Sequence, residues 1–143
     1  MKVICLNRRA KYDYHILDTL ECGIVLSGTE VKSLLIGNVS IEEAYATIEN
    51  GEVWLINSDI QQYEYGNREN HKPKRQRKLL LHRNEIRKFA EKGMSKGFTL
   101  IPISLYFSNK KIKVELAVCQ GKKKYDKRQT EKEKEAKKQM SEF

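Results

Sequence analysis

The fold class this 143-residue sequence predicts is mainly β with short helices: a small antiparallel barrel with flanking helices, followed by a disordered basic C-terminal tail. Three observations predict it. Apolar side chains alternate with the period of a strand in segments that pair as hairpins, the signature of antiparallel sheet. Nowhere do strands and helices alternate as a parallel sheet would require. The tail, residues 121–143, reads GKKKYDKRQTEKEKEAKKQMSEF. Its only apolar side chains are Tyr125, Ala136, Met140 and Phe143, too few to offset the entropy of ordering it. Two units follow, a barrel over 1–120 and a tail over 121–143 that stays disordered when free.

The first extended segment is Tyr14 to Leu26, where Leu20, Cys22, Ile24 and Leu26 share one face and Glu21, Gly23 and Val25 the other. Ser27 and Gly28 break the pattern, and Thr29 is placed to cap a short helix from Glu30 to Ile36 that Gly37 ends. Ala44 to Glu49 and Glu52 to Ile56 flank Asn50-Gly51, a dipeptide whose tolerance of positive φ suits a tight hairpin. From Gln61 to Lys78 there is no apolar periodicity, and Gly66, Pro73 and the charge predict an exposed, mobile loop. Leu79 to Leu81 return the chain to the core, and Arg83 to Lys92 sets Ile86, Phe89 and Ala90 on one helical face. Thr99 to Phe107, with Ile101, Ile103, Leu105 and Phe107 on one face, pairs with Lys111 to Gln120, the turn being Ser108-Asn109-Lys110. Trp54 and Phe107 fall within strand alternation and read as core. An OB-type barrel is the common closure for such strands, and one that presents a face to oligonucleotides.

The net charge of +9 is concentrated. Residues 71–92 carry nine basic and two acidic side chains, and 121–143 carry nine and five, while the remainder is slightly acidic. Gathering cations into two segments suits a phosphate backbone. Lys72, Lys74, Arg75, Arg77 and Lys78 follow Tyr63 and Tyr65, and Arg8, Arg9 and Lys11 neighbour Tyr12 and Tyr14. Interleaved aromatics and cations favour RNA. A membrane surface would select a basic helix with a wide apolar face, which the tail lacks. The start, MKVICLNRRAKYDY, is too weakly apolar for a secretory signal, so the expected location is cytoplasmic.

Enzyme chemistry finds little footing. His15, His71 and His82 are scattered, with no metal-binding spacing and no phosphate-cradling glycine loop, so neither catalytic residues, metal nor cofactor is expected. Cys5, Cys22 and Cys119 form no CxxC pattern and read as reduced, packed thiols. Composition alone thus reaches an RNA-binding barrel. A general ribosome-associated protein and an RNA-processing enzyme using His71 or His82 are the rival readings.

Four ordered motifs go further: Asn7 to Tyr14 (NRRAKYDY); Glu21-Cys22-Gly23 through Gly28 to Leu34 (GTEVKSL); Arg77 to His82 (RKLLLH); and Gly121 to Arg128 (GKKKYDKR). Together they closely resemble the SmpB family, the tmRNA-binding proteins of bacterial trans-translation, over almost the whole chain. The resemblance implies an OB-like barrel that grips the tRNA-like domain of tmRNA and delivers it to stalled 70S ribosomes, with elongation factor Tu and alanyl-tRNA synthetase reached through tmRNA. It also implies that the tail probes the empty decoding centre and messenger channel beside small-subunit rRNA. The tmRNA contacts so implied are Tyr14, Glu21, Leu80 and His82, with Arg8, Arg9, Lys11, Lys74, Arg75, Arg77 and Lys78 on phosphates. Glu21 facing RNA makes sense as an acceptor for base amino groups or as a support for a neighbouring cation, and otherwise reads as an ordinary outward strand residue. Leu80 reads either as core or as an exposed leucine packing on a ribose or base. In the tail, Lys122, Lys123, Lys124, Tyr125, Asp126, Lys127 and Arg128 are the implied ribosome contacts, Tyr125 stacking near the decoding bases. Ala136 stands where some members carry tryptophan, leaving Met140 and Phe143 as candidate apolar anchors.

Overall fold

The computed structural model describes residues 2–93 and 97–121. Nine strands and three helices occupy them: β1 Lys2–Leu6, α1 Ala10–Asp13, β2 Tyr14–Ile24, α2 Gly28–Leu35, β3 Val39–Ser40, β4 Tyr45–Glu49, β5 Glu52–Ile56, β6 Asp59–Ile60, β7 Arg77–Leu80, α3 Arg83–Gly93, β8 Phe98–Ser108 and β9 Lys111–Gly121. The main sheet runs β1-β8-β4-β5-β7-β2-β9, and because β9 also pairs with β8, six strands close into a ring with β1 laid along β8. Every pairing is antiparallel. The closed antiparallel ring agrees with the barrel of the sequence reading, and β2, β8 and β9, at 11 residues each, lie close to the extended segments expected at Tyr14 to Leu26, Thr99 to Phe107 and Lys111 to Gln120.

Both predicted hairpins form. Asn50 (φ 51°) and Gly51 (φ 74°) turn β4 into β5, and Asn109 (φ 50°) and Lys110 (φ 63°) turn β8 into β9, the paired positive φ values that match strand twist. The core inside the ring holds Cys22, Val53, Leu55, Leu79, Leu105, Val114, Leu116 and Val118, all essentially inaccessible, with Leu34 of α2 and Phe89 of α3 closing it. Burial pushes the thiols up, Cys5 and Cys119 to about 11 and Cys22 to about 12, so all three are inert at neutral pH.

Strand period alone misassigned one face. Ile101 and Ile103 do not join Leu105 and Phe107 inside the ring; they sit with Ala10, Ala117 and Cys119 in a second cluster packed with Tyr14 and Ile16. The register slips between Pro102 and Ser104, and again between Ile16 and Asp18. Each bulge inserts one residue, which reverses the faces beyond it and adds the bend that ring closure needs. Trp54 also departs from expectation. Val53 and Leu55 face the core, so Trp54 points outward, half-buried between its strand partners Thr47 and Lys78. Phe107 packs against the core.

The helix after β2 starts earlier than predicted. Ser27, not Thr29, is its N-cap, with a full capping box in which Glu30 accepts the Ser27 amide at 2.8 Å. Thr29 instead bonds His71 Nδ1 at 2.9 Å, and His71 Nε2 donates to the Ile60 carbonyl at 2.8 Å. That imidazole is 7% exposed. The 61–76 segment is therefore hooked to α2 through His71 and braced within itself, where Asn70 Oδ1 accepts the Tyr63 amide and Gln62 donates to the His71 carbonyl. A 3₁₀ turn, Asn67–Glu69, lies within it.

Candidate nucleic-acid interface

The sequence-predicted residues fall into three places. The first is an outward surface running across β9, β2, β7 and β5. Gly23 lies between Lys113 on β9 and Leu80 on β7, Glu21 faces Glu115, and Lys78 faces Trp54. Leu80 is 51% exposed, so it is not core; its side chain crosses Gly23, where any Cβ would come within 3.2 Å of the Leu80 Cβ. His82 follows with its ring exposed, and its backbone opens α3 by donating to Glu85 at 3.0 Å and accepting from Ile86 at 3.0 Å. Lys78 reaches Glu52 at 3.2 Å, an exposed pair that salt or a phosphate displaces at little cost.

Glu21 is held as well as placed. Tyr106 on β8, itself 6% exposed, extends across β9 and donates its hydroxyl to Glu21 Oε2. Burial, then the hydrogen bond to Glu21 and that carboxylate's charge, push the Tyr106 pKa upward, so its proton stays on and it remains a donor. One oxygen is thereby occupied and the carboxylate oriented, leaving the other to accept from an exposed base edge. Glu115 opposite is tied to Ser104 Oγ at 3.3 Å. Nothing in the spacing of Tyr106 and Glu21, 85 residues apart, could have revealed this contact.

The second place is the basic loop, and here one expectation is corrected. Arg77 is fully buried and all five of its N–H donors have acceptors: Nε bonds Glu30 Oε2, Nη1 the Ser58 carbonyl (3.0 Å) and Oγ (2.9 Å), and Nη2 the Pro73 (3.0 Å) and Lys72 (3.4 Å) carbonyls. No donor remains for a phosphate. Its partner Glu30 is also fully buried and takes a second guanidinium from Arg75, whose Nη2 also reaches the Val25 carbonyl at 3.3 Å. Burial alone would raise the Glu30 pKa, but the Arg75 hydrogen bond, the Ser27 amide, the Arg77 hydrogen bond and the Arg77 charge reverse this and hold it at about 2. Arg75 keeps 39% of its side chain exposed, and Lys74 is exposed. With the exposed Lys72 and with Lys78, those two are the cations that the predicted basic group offers to solvent.

The third place lies at the opposite end of β2. Asn7 is buried and ties the chain to β8 through the Pro102 carbonyl (3.0 Å), presenting Arg8 and Arg9 on the turn into α1. Arg9 approaches Glu43 at 3.4 Å and Asp13 at 3.7 Å. Lys11 is exposed, while the Tyr14 ring packs partly into the second cluster. Seven residues of strand, roughly 23 Å, separate Tyr14 from Glu21. Tyr14 pairs with Gly121, so this basic group sits beside the point where the chain leaves the barrel. The ladder takes in Gly121, one residue beyond the expected boundary. Lys122, Lys123, Lys124, Tyr125, Asp126, Lys127 and Arg128 lie outside the described residues.

Among the described residues no group of His, Cys, Asp and Glu could hold a metal ion, and no helix is long and apolar enough to cross a membrane. Comparison with known proteins returns one consistent answer. The model of the family described as "SmpB protein" matches residues 4–143. The SsrA-binding protein of Thermobifida fusca is 55% identical over 139 residues, 97% of this chain and 87% of that one. That of Zymomonas mobilis is 53% identical over 141 residues, 98% and 88% of the respective chains. A solved structure described as "tmRNA-SmpB: a journey to the center of the bacterial ribosome" superposes with a TM-score of 0.73 at 46% identity, covering 87% of each chain. A match of this extent means that the chain belongs to the SmpB family.

Proposed function

We propose that this protein is an RNA-binding adaptor that holds the tRNA-like domain of tmRNA and brings it to stalled ribosomes for trans-translation. The observation that carries this reading is the family match along the chain, together with a relative whose solved structure is described as tmRNA-SmpB in the bacterial ribosome. The barrel geometry supports it in detail. Glu21, Lys78, Leu80 and Gly23 share one outward surface, with His82 two residues further along the chain, offering an acceptor, a cation and an apolar side chain to one RNA surface. Arg75 and Lys74 extend it. The adaptor supplies binding and placement rather than bond chemistry, and works in the cytoplasm where ribosomes do. Elongation factor Tu and alanyl-tRNA synthetase meet it through tmRNA.

The tail takes the second half of the task, with Lys122 to Lys124, Lys127 and Arg128 against small-subunit rRNA and Tyr125 near the decoding bases. The Arg8 to Lys11 group stands at the root of that tail, and its phosphate contacts adjoin those of the tail. Two measurements test the reading. Purified protein should bind an isolated tRNA-like domain far more tightly than alanine tRNA across a salt series; equal, steeply salt-sensitive binding to both would overturn it. Removing residues 122–143, past the last paired residue of β9, should spare tmRNA binding and abolish tagging of stalled nascent chains. Loss of both together would refute the division between barrel and tail.

A further inference from the structure

Beside Leu80 lies a cleft of about 360 Å³ that no sequence motif announced. Its floor is apolar, formed by Leu26, Val31 and Phe107 among others, and its rim carries Lys110, Lys111 and Lys113 from the turn and first residues of β9. Gly23 lies at its edge, between Lys113 and Leu80 in the strand register. With no side chain there, the space between two cationic and apolar walls stays open, and a Cβ would already press on Leu80 at 3.2 Å. Volume, floor and rim each point to the same ligand chemistry. The cavity is of a size that takes one small polar-headed molecule. An apolar floor favours a flat base or ribose over a bare anion, and three lysines favour the phosphates on either side of it.

We infer that this cleft is a nucleotide-binding site of the adaptor, taking one unpaired nucleotide of the tmRNA tRNA-like domain with its base toward Phe107 and Val31 and its flanking phosphates on Lys110, Lys111 and Lys113. The inference rests on the tmRNA-binding reading above and deepens it. It adds three cations to the surface of Glu21 and Leu80, in place of the guanidinium of Arg77 that the fold consumes.

The test uses the full chain. Lys110→Asn, Lys111→Gln and Lys113→Gln are combined, asparagine being chosen because it tolerates the positive φ at Lys110 (63°). A second variant, Gly23→Val, fills the mouth and leaves every charge in place. With the tRNA-like domain as probe, the triple variant should lower the log-log salt slope by about 2, near 0.7 for each lost contact, and weaken binding at least about tenfold at moderate salt. Gly23→Val should weaken binding with the slope unchanged. Isolated small ribosomal subunits form the second arm. Wild-type slope and affinity in the triple variant would overturn the site, and so would a loss confined to the ribosomal arm. If wild type itself fails to prefer the tRNA-like domain over alanine tRNA, the parent reading falls, while the triple variant's slope still reports whether these lysines contact phosphate.

Discussion

Replacing Glu30 by glutamine removes one charge from the interior and keeps the shape. In the native protein both Glu30 and Arg77 are fully buried, and the carboxylate also receives Arg75 and the Ser27 amide. Glu30→Gln leaves the Arg77 guanidinium inside without a counter-charge and gives its Nε a weaker acceptor. Two routes give the size of the loss. A carboxyl held at about 2 instead of 4.5 corresponds to about 3 kcal/mol of preferential interaction with its charged form. Breaking a buried ion pair from one side typically costs about 3–5 kcal/mol. A loss near 3 kcal/mol in a domain of this size lowers Tm by roughly 12 °C. Because the folded pKa is depressed, the native contribution is fully present above about pH 4.5 and fades as pH falls toward 2, so wild type and Glu30→Gln should converge across that window. Thermal and urea unfolding at pH 7, 5 and 3 measure it. A loss under 1 kcal/mol at pH 7, or a gap that widens in acid, would refute the account of this pair as the anchor of the basic loop.

Three further outcomes follow from the same geometry. Lys74, Arg75 and Lys78 changed together to Ala should lower the salt slope of tmRNA binding by up to about 2, whereas Arg77→Ala should lower Tm at least as much as Glu30→Gln and leave the slope unchanged; an unaltered slope in the triple variant would make these side chains merely solvated. Tyr106→Phe removes an intramolecular hydrogen bond to a charged group, worth about 1.5–3 kcal/mol, so Tm should fall by several degrees, and the Glu21 carboxylate, freed to turn toward water, should weaken tmRNA binding; unchanged binding in titration calorimetry would refute its positioning role. Gly66→Ala sets a Cβ 2.6 Å from Asn70 Nδ2 and 2.9 Å from Thr29 Cγ2, so the Asn70 clasp on Tyr63 must move, at a cost of about 1–3 kcal/mol; hydrogen exchange at 62–71 should rise, and native protection there would contradict it.

Hairpins were legible in this sequence because their signals are local. Asn50-Gly51 sits between two runs that need no third partner to pair, and the β8–β9 turn is bounded by alternation on both sides. The bulges were not legible, since an inserted Ile103 or Leu17 looks like one more apolar residue until the partner strand fixes the count. The polar bracing of the 61–76 loop was not legible for a related reason. Its order comes from Asn70 and His71 hydrogen-bonding to groups outside any periodic pattern, and periodicity is blind to polar hooks. Within the candidate site, Glu21 and Leu80 were legible only through the family resemblance, while Tyr106 and the lysines of the β9 turn needed the register that sets them beside those residues.

Arg77 makes the physical distinction sharpest. By charge it was indistinguishable from Arg75 and Lys78, its neighbours in one basic run. Strand period separates them: with Leu79 facing the core, Arg77 two residues earlier must face inward as well, and an inward arginine requires a buried anion. The candidates for that anion were few, because an inward acid near the end of α2 closest to the loop was needed, and Glu30 already stood at the third position of a capping box. Glu30 thus serves helix start and loop anchor together, which joins the GTEVKSL and RKLLLH motifs through one carboxylate. Two of the motifs that carry the resemblance are therefore partly a folding device, and a residue's membership in them does not by itself make it available to RNA; exposure leaves Lys78 and Leu80 accessible and withdraws Arg77.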